Sequence, residues 1–139
     1  CSTCPIDCGR CKSEISEVRE GIRINFDKSV FSGKICFYYG KNAPCPACDR
    51  GAISILASSL NTTYCISTDV SLCKNCNLSV LVGGPVANRL VDENLWKENV
   101  KESYGAIYMQ NSTFLVVAGI NRNFTAFATD ILKEILLKI

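Results

Sequence analysis

The sequence contains no histidine, and it has only one tryptophan and one methionine. Without an imidazole there is no Ser/His/Asp or Cys/His catalytic group and no histidine ligand for a catalytic zinc ion. No apolar run approaches the ~20 residues that cross a bilayer. The formal net charge is +2, and no basic run is interleaved with aromatic residues, so we expect neither a membrane span nor a nucleic-acid partner.

Cysteine, in contrast, is abundant, with ten in 139 residues. Eight of them form four Cys-x-x-Cys pairs and two stand alone: Cys1/Cys4, Cys8/Cys11, Cys45/Cys48 and Cys73/Cys76, with Cys36 and Cys65 single. Thiols at this density are paired as disulfides in an oxidising compartment, whereas in a reducing one they hold metal or carry out redox chemistry. The role that these cysteines indicate therefore depends on whether the protein lies in an oxidising or a reducing compartment.

The sequence also contains four Asn-x-Ser/Thr glycosylation patterns without proline at the middle position. They begin at Asn61, Asn77, Asn111 and Asn123. Four matches exceed the number that chance predicts, and the cysteine count is even, as a disulfide framework requires. Both observations favour an extracellular, N-glycosylated protein in which all ten cysteines form disulfides. We expect no bound metal and no cofactor.

With 47% apolar and 20% charged residues, the chain can bury an ordinary hydrophobic core, so we expect one domain. Residues 1–12 (CSTCPIDCGRCK) have neither helical nor strand periodicity and predict a small cysteine-rich N-terminal appendage. The domain then covers residues 13–139. The chain opens on Cys-Ser-Thr-Cys and not on the apolar core of a signal peptide, which indicates a processed chain.

The first half of the domain predicts alternating elements. Residues 14–20 predict a short helix, and the alternation in 22–26 predicts a half-buried strand. The run 34–40 predicts a strand, followed by a helix that Asp49 caps and that ends at Leu60, and 63–68 predicts the next strand. A further apolar strand ends at Val82. After it Gly83 and Gly84 make a turn, and Pro85 begins a helix.

The second half completes the prediction of the fold class. Gly105–Met109 and 113–120 predict a hairpin, and the continuous apolar stripe of residues 124–139 predicts a helix packed on the sheet. Because strands alternate with helices, the sequence predicts an α/β fold. We expect a three-layer sandwich with a mostly parallel sheet.

Three segments resemble the archaeal S-layer protein domain family, in the family's order over roughly residues 36–132. They are YYGKNAPCPACDRGAISILASSL, NLSVLVGGPVANRLVDE and TFLVVAGINRNFTAFATDIL. The run Val82-Gly83-Gly84-Pro85 with Asn88 is the most specific part. The resemblance implies an α/β domain of a porous glycoprotein lattice without catalytic residues. The short chain and the four loop cysteines depart from the family pattern, which implies a stand-alone relative such as a filament subunit or an accessory surface protein.

The predicted sheet indicates how the cysteines pair. In a parallel sheet the loops after strands 34–40 and 63–68 leave from the same edge, so their two Cys-x-x-Cys pairs can bridge across it. The two single cysteines fall on adjacent strands, where they either bridge or remain buried thiols. The four N-terminal cysteines pair among themselves or with a neighbouring subunit. No single connectivity follows from the sequence.

Three alternatives use cysteine differently. Cys45-Pro-Ala-Cys48 lies between a predicted strand and a helix, whose amino terminus lowers the pKa of Cys45 as a thiol–disulfide oxidoreductase requires. The lack of a proline at the start of a later strand weighs against it. The four cysteines of residues 1–12 suffice in number for zinc or an iron–sulfur cluster, although their spacer is short. Cys1 is also a candidate for lipid attachment.

Two further patterns predict no site. Gly83-Gly84-Pro85 resembles a phosphate-binding turn, but the other glycines and the lysine of such motifs are missing. Four carboxylates flank Trp96 as in a sugar-cleaving pair: Asp92, Glu93, Glu98 and Glu102. Nothing in the sequence fixes their separation, and a solvated helix surface explains them.

The sequence thus predicts a non-enzymatic, extracellular structural glycoprotein. Under this hypothesis it is a subunit of an archaeal surface layer or filament, stabilised by disulfides. Its partners are further copies of itself and N-linked glycans.

Overall fold

The computed structural model describes residues 14–137, which form one seven-stranded sheet and three helices. The strands are β1 (Glu14–Arg19), β2 (Ile22–Asp27), β3 (Ile35–Tyr39), β4 (Tyr64–Ser67), β5 (Leu78–Val82), β6 (Gly105–Met109) and β7 (Phe114–Gly119). The helices are α1 (Pro46–Ser59), α2 (Glu93–Val100) and α3 (Arg122–Leu137). The predicted appendage of residues 1–12 lies outside the described residues, so the division into appendage and domain stays a prediction.

The sheet is mixed, with the strand order β1-β2-β6-β7-β5-β3-β4. The pairs β2/β6, β7/β5, β5/β3 and β3/β4 are parallel, whereas β1/β2 and β6/β7 are antiparallel. β2 and β6 therefore run opposite to the other five strands. The prediction of a three-layer sandwich with a mostly parallel sheet is wrong. The chain forms a small mixed α/β domain, in which one face of the sheet carries only the eight-residue helix α2.

The first strand is one place where the sequence prediction fails, because residues 14–20 were expected to be helical. β1 instead pairs antiparallel with β2 along its whole length. Glu20 and Gly21 connect the two strands with positive φ angles of 51° and 85°, as a two-residue hairpin turn requires. Cross-strand pairing thus overrides the helix propensity of the glutamates. As a result β1 forms one edge of the described sheet.

One face of the sheet, called here the helical face, is covered by α1 and α3. Its core is aliphatic apart from two phenylalanines: Ile22, Ile24, Phe26, Ile35, Phe37, Ile53, Leu56, Ala57, Leu78, Val80, Val82, Ile107, Leu115, Val117, Ala128, Ile131, Leu132 and Ile135. The last four lie on α3 and confirm the predicted packing of its apolar stripe on the sheet.

The opposite face, called here the cross-linked face, is covered by α2 and by the loops 68–77 and 83–92. Its buried residues are Cys36, Tyr38, Cys73, Leu81, Val91, Val100, Ala106, Tyr108, Val116 and Ala118. Cysteines and tyrosines here take the place of the large aliphatic side chains of the helical face. Loops therefore cover much of this face where a second layer of helices was expected.

Several elements agree with the sequence analysis. The strands at 22–26, 34–40 and 63–68 and the hairpin of β6 and β7 are confirmed. The predicted helix starting at Pro85 is wrong, because residues 83–91 form turns and α2 begins only at Glu93. Within residues 14–137, no helix has the length and apolarity that a bilayer crossing needs.

Candidate functional site

Two disulfides hold the loop 68–77 against the cross-linked face. Cys36 of β3 and Cys65 of β4 are register partners on neighbouring parallel strands. Cys36 bonds to Cys76 and Cys65 bonds to Cys73, with Cα separations of 5.7 and 5.9 Å. The Tyr38 hydroxyl lies 3.6 Å from the Cys76 sulfur. The loop is therefore attached both to β4, which it leaves, and to β3, which it crosses.

The topology explains this pairing. β4 is an edge strand, and the next strand, β5, lies on the far side of β3. The loop 68–77 must cross β3 to reach β5, so its two cysteines meet the cysteines of β4 and β3 in turn. The predicted bridges between the two Cys-x-x-Cys pairs of the loops are therefore wrong, and the single cysteines are the partners.

The remaining described pair, Cys45 and Cys48, forms a disulfide within its own motif at the start of α1. Cys45 is the N-cap of the helix, and its sulfur accepts a hydrogen bond of 3.1 Å from the Cys48 amide. The sequence analysis gave the capping role to Asp49, which is wrong because Pro46 already begins the helix. Cys48 is exposed to solvent and Cys45 is half-buried.

Asn88 holds together the carboxyl ends of two parallel strands. Its buried side-chain amide donates hydrogen bonds to the carbonyls of Tyr38 (3.0 Å) in β3 and Val82 (3.2 Å) in β5. Its side-chain oxygen accepts a hydrogen bond of 3.1 Å from the Leu90 amide. All three partners are backbone groups. The Asn88 of the sequence motif thus has a structural role.

Two glycines allow the chain around Asn88 to follow this path. Gly83 has a φ of +107°, which other residues rarely adopt, and it turns the chain away from β5. Gly40, which follows β3, lies so close to the carbonyl of Ala87 that a Cβ would collide with backbone. These contacts bring the loops after β3 and β5 together.

A cavity of about 260 Å³ opens beside these loops, at the carboxyl ends of β3, β5 and β7. Its walls are Asn42, Ala43, Pro44, Asp49, Gly83, Gly84, Pro85, Val86, Ala87, Trp96, Gly119, Ile120, Asn121, Arg122 and Thr125. β3 and β7 lead into α1 and α3 on the helical face, whereas β5 leads towards α2 on the other face. Such a point, where neighbouring strands connect in opposite directions, is the usual ligand position in open α/β sheets.

Asp49 and Arg122 are the charged residues of the cavity wall. Asp49 lies in the first turn of α1 and is only 7% exposed, and Arg122 is the first residue of α3. Burial raises the pKa of Asp49 above its ordinary value of 3.8, and the nearby charge of Arg122 offsets part of this increase. Within the described chain, no residue donates a hydrogen bond to the Asp49 carboxylate.

Trp96 reaches the same cavity from α2. Its indole nitrogen is buried and has no hydrogen-bond partner among residues 14–137. The carboxylates that flank it in sequence take ordinary surface roles: Asp92 caps α2, and Glu93 forms an ion pair of 2.9 Å with Lys97. They lie in no cavity with Trp96, and all four, including Glu98 and Glu102, are exposed.

The four glycosylation patterns have different surroundings. All four asparagines are exposed. The hydroxyl residues that complete the patterns of Asn61 and Asn111, namely Thr63 and Thr113, are exposed as well. The hydroxyl residues that complete the patterns of Asn77 and Asn123 are Ser79 and Thr125, and both are buried. Ser79 lies in β5, and the hydroxyl oxygen of Thr125 accepts a hydrogen bond from the Gly119 amide.

Other predicted sites are not brought together. Within residues 14–137, no group of three or more cysteine, aspartate or glutamate side chains is arranged to hold a metal ion. Cys1, Cys4, Cys8 and Cys11 lie outside the described residues. Zinc or cluster binding there, lipid attachment at Cys1 and pairing with a neighbouring subunit therefore stay hypotheses.

The fold and the site together define a small, disulfide-bonded α/β domain with a cavity at one end of its sheet. No protein-family model matches this sequence, and a search of the curated proteins finds no similar one. The resemblance to the S-layer domain therefore depends on the three motif segments alone.

Sequence reasoning missed the cavity. Asp49 was interpreted as a cap and Arg122 was not singled out. The available signal was the position of both residues just after strands that end at the same edge of the sheet. Trp96 comes from a helix whose start was misplaced, so no sequence pattern predicts that it lines the same cavity as the other two residues.

Proposed function

We propose that this chain is an extracellular structural glycoprotein that associates with copies of itself in an archaeal surface layer or filament. The observation that carries this proposal is the state of the cysteines. All six cysteines within residues 14–137 are paired with one another inside the chain. Three disulfides in one small domain are consistent with an oxidising location.

The pairing also restricts how copies can be linked. Because no described cysteine is left as a thiol, a disulfide between copies would use the N-terminal four: Cys1, Cys4, Cys8 and Cys11. They lie directly before β1, an edge strand whose outer backbone groups have no partner in the described sheet. The free edge of β1 is also available for strand pairing between copies.

The four glycosylation patterns support an extracellular location, but two of them are more accessible in the folded domain than the other two. Asn61 and Asn111 are accessible in the folded domain together with their hydroxyl partners. Asn77 and Asn123 are accessible themselves, but their hydroxyl partners are buried, so modification there would precede folding. The proposal therefore expects glycans first at Asn61 and Asn111.

Native assemblies provide the direct test. We expect a non-reducing mass measurement with peptide mapping to find the three disulfides and sugar at Asn61 and Asn111. Reductant should dissociate the assemblies, and so should replacement of the four N-terminal cysteines by serine. The matched control is Cys65→Ala with Cys73→Ala, which removes an internal bridge and should leave assembly intact. Native material with free thiols and no carbohydrate would contradict the proposal.

A second candidate function is a thiol–disulfide oxidoreductase that uses Cys45 and Cys48. The specific observation is that this pair forms its own exposed disulfide at the start of α1, separate from the two bridges of the cross-linked face. The Cys48 amide and the helix amino terminus would both stabilise a thiolate at Cys45.

An insulin-reduction assay separates the two candidates. An oxidoreductase should accelerate reduction of insulin by dithiothreitol, and Cys45→Ser should abolish the acceleration. Cys65→Ala with Cys73→Ala is again the control, since it leaves the motif intact. An inert wild-type chain would exclude the second candidate.

A further inference from the structure

The cavity at the carboxyl ends of β3, β5 and β7 is lined by none of the described cysteines. Two polar groups on its wall have no hydrogen-bond partner among residues 14–137: the carboxylate of Asp49, a residue that is 7% exposed, and the indole N–H of Trp96, whose nitrogen is buried. Burial of a polar group without a hydrogen bond costs free energy, so two such groups on one cavity indicate that a ligand supplies their partners.

The charges on the wall restrict the chemistry of that ligand. Asp49 and Arg122 carry opposite charges, so the wall is neutral overall. A simple cation would be repelled by Arg122, and a simple anion would be repelled by Asp49. A hydroxyl group both donates and accepts hydrogen bonds, so a neutral ligand with several hydroxyls can donate to Asp49 and accept from Trp96 and Arg122 at once.

The apolar part of the wall and the size of the cavity narrow the choice further. Pro44, Pro85, Val86 and Ile120 present hydrocarbon surface beside the polar groups. A sugar ring combines hydroxyls at its rim with C–H groups on its faces, which matches this division. The volume of about 260 Å³ lies below the ~300–1,000 Å³ of most ligand pockets, so it suits a single ring.

We propose that this cavity binds one neutral sugar unit, with Asp49 as acceptor and with Trp96 and Arg122 as donors. In an assembly the sugar would be the exposed end of an N-linked glycan on a neighbouring copy. This second part rests on the proposed function. The cavity would then add a carbohydrate contact between copies to the disulfide contact.

The chain contains its own probe, because Trp96 is its single tryptophan. Glucose, galactose, mannose and N-acetylglucosamine would each be titrated into the oxidised, deglycosylated chain while tryptophan emission and sugar NMR signals are followed. We expect at least one sugar to bind saturably. Asp49→Asn should weaken its binding at least tenfold, because a hydrogen bond to a charged group is lost. Asp130→Asn, which changes an exposed carboxylate of α3 outside the cavity, should have no effect.

A second variant tests the same site independently of Asp49. Trp96→Phe removes the N–H donor and retains an aromatic ring, and NMR should again show weaker sugar binding. Absence of binding by all four sugars, or equal binding by wild type and both variants, would overturn the inference. Binding of glycine or alanine in place of sugars would also overturn it, because the ligand would then be a zwitterion.

Assembly is measured separately from sugar binding. Reductant-sensitive assemblies without sugar binding would contradict only this inference. A monomeric chain that binds sugar would contradict only the proposed function.

Discussion

The two faces of the sheet are stabilised in different ways. The helical face buries large aliphatic side chains against two long helices. The cross-linked face has one short helix and several loops, and two disulfides attach one of these loops to the strands. Apolar burial supplies stability on the first face, and covalent bonds supplement a thinner core on the second. The contrast predicts that redox conditions affect one face and leave the other almost unchanged.

The largest effect should follow removal of the Cys36–Cys76 bridge. The bond joins residues 40 apart, and closure of such a loop stabilises the folded state by about 4 kcal/mol. Cys36→Ala with Cys76→Ala should lower the free energy of unfolding by this amount in oxidising buffer, as measured by denaturant titration. In reductant the variant and the wild type should differ far less. An equal difference in both buffers would mean that packing, and not the bond, is responsible.

Leu132→Ala tests the other face. Leu132 lies on α3 and is fully buried, so its truncation should cost about 3 kcal/mol. Because the buried core of the helical face contains no cysteine, the loss should be the same with and without reductant. A loss that depends on reductant would show that the two faces are coupled.

Removal of the Cys65–Cys73 bridge should have a smaller effect. Its residues are only 8 apart, which corresponds to about 2.5 kcal/mol. In Cys65→Ala with Cys73→Ala, hydrogen exchange should become faster in β4 and the loop 68–77 and stay slow in α3. Faster exchange throughout the chain would contradict the assignment of this bridge to one edge of the sheet.

Asn88→Ala should cost about 2 kcal/mol, because the buried carbonyls of Tyr38 and Val82 lose their donor. Asn88→Asp removes the donor and keeps the side-chain oxygen that accepts from Leu90, so the two variants should be similarly destabilised. Thermal unfolding measures both. A stable Asn88→Asp variant would show that the Leu90 contact is the important one.

The smallest effect concerns pH. The pKa of Asp49 is higher in the folded chain than its ordinary value of 3.8, so the folded state binds this proton more tightly than the unfolded state. The contribution of Asp49 to the free energy of unfolding is therefore greatest below pH 3.8. It falls as the pH rises through the pKa that Asp49 has in the folded chain. Asp49→Asn should raise the unfolding temperature at pH 7 and have little effect near pH 3. A lower unfolding temperature at pH 7 would mean that attraction to Arg122 dominates.

The comparison of the faces also explains what the sequence could predict. The helical face follows from local patterns, since the apolar periodicity of α1 and α3 and the strand runs are visible in the sequence. The cross-linked face depends on strand order, which local patterns do not contain. Only the position of β5 beyond β3 brings Cys36 to Cys76, and only the turns after Gly83 place Trp96 on the cavity that Asp49 also lines. The strand Glu14–Arg19 was missed because its pairing with β2 outweighs its own propensity.

The bond between Cys36 and Cys76 has a mechanical consequence. When the chain is pulled from its ends, tension passes directly from residue 36 to residue 76 and bypasses everything between them. About 140 Å of extended chain therefore cannot be released by force. Under such a pull the chain would unfold through β1, β2, β5, β6, β7, α2 and α3, whereas α1, β4 and most of β3 would stay out of the load path.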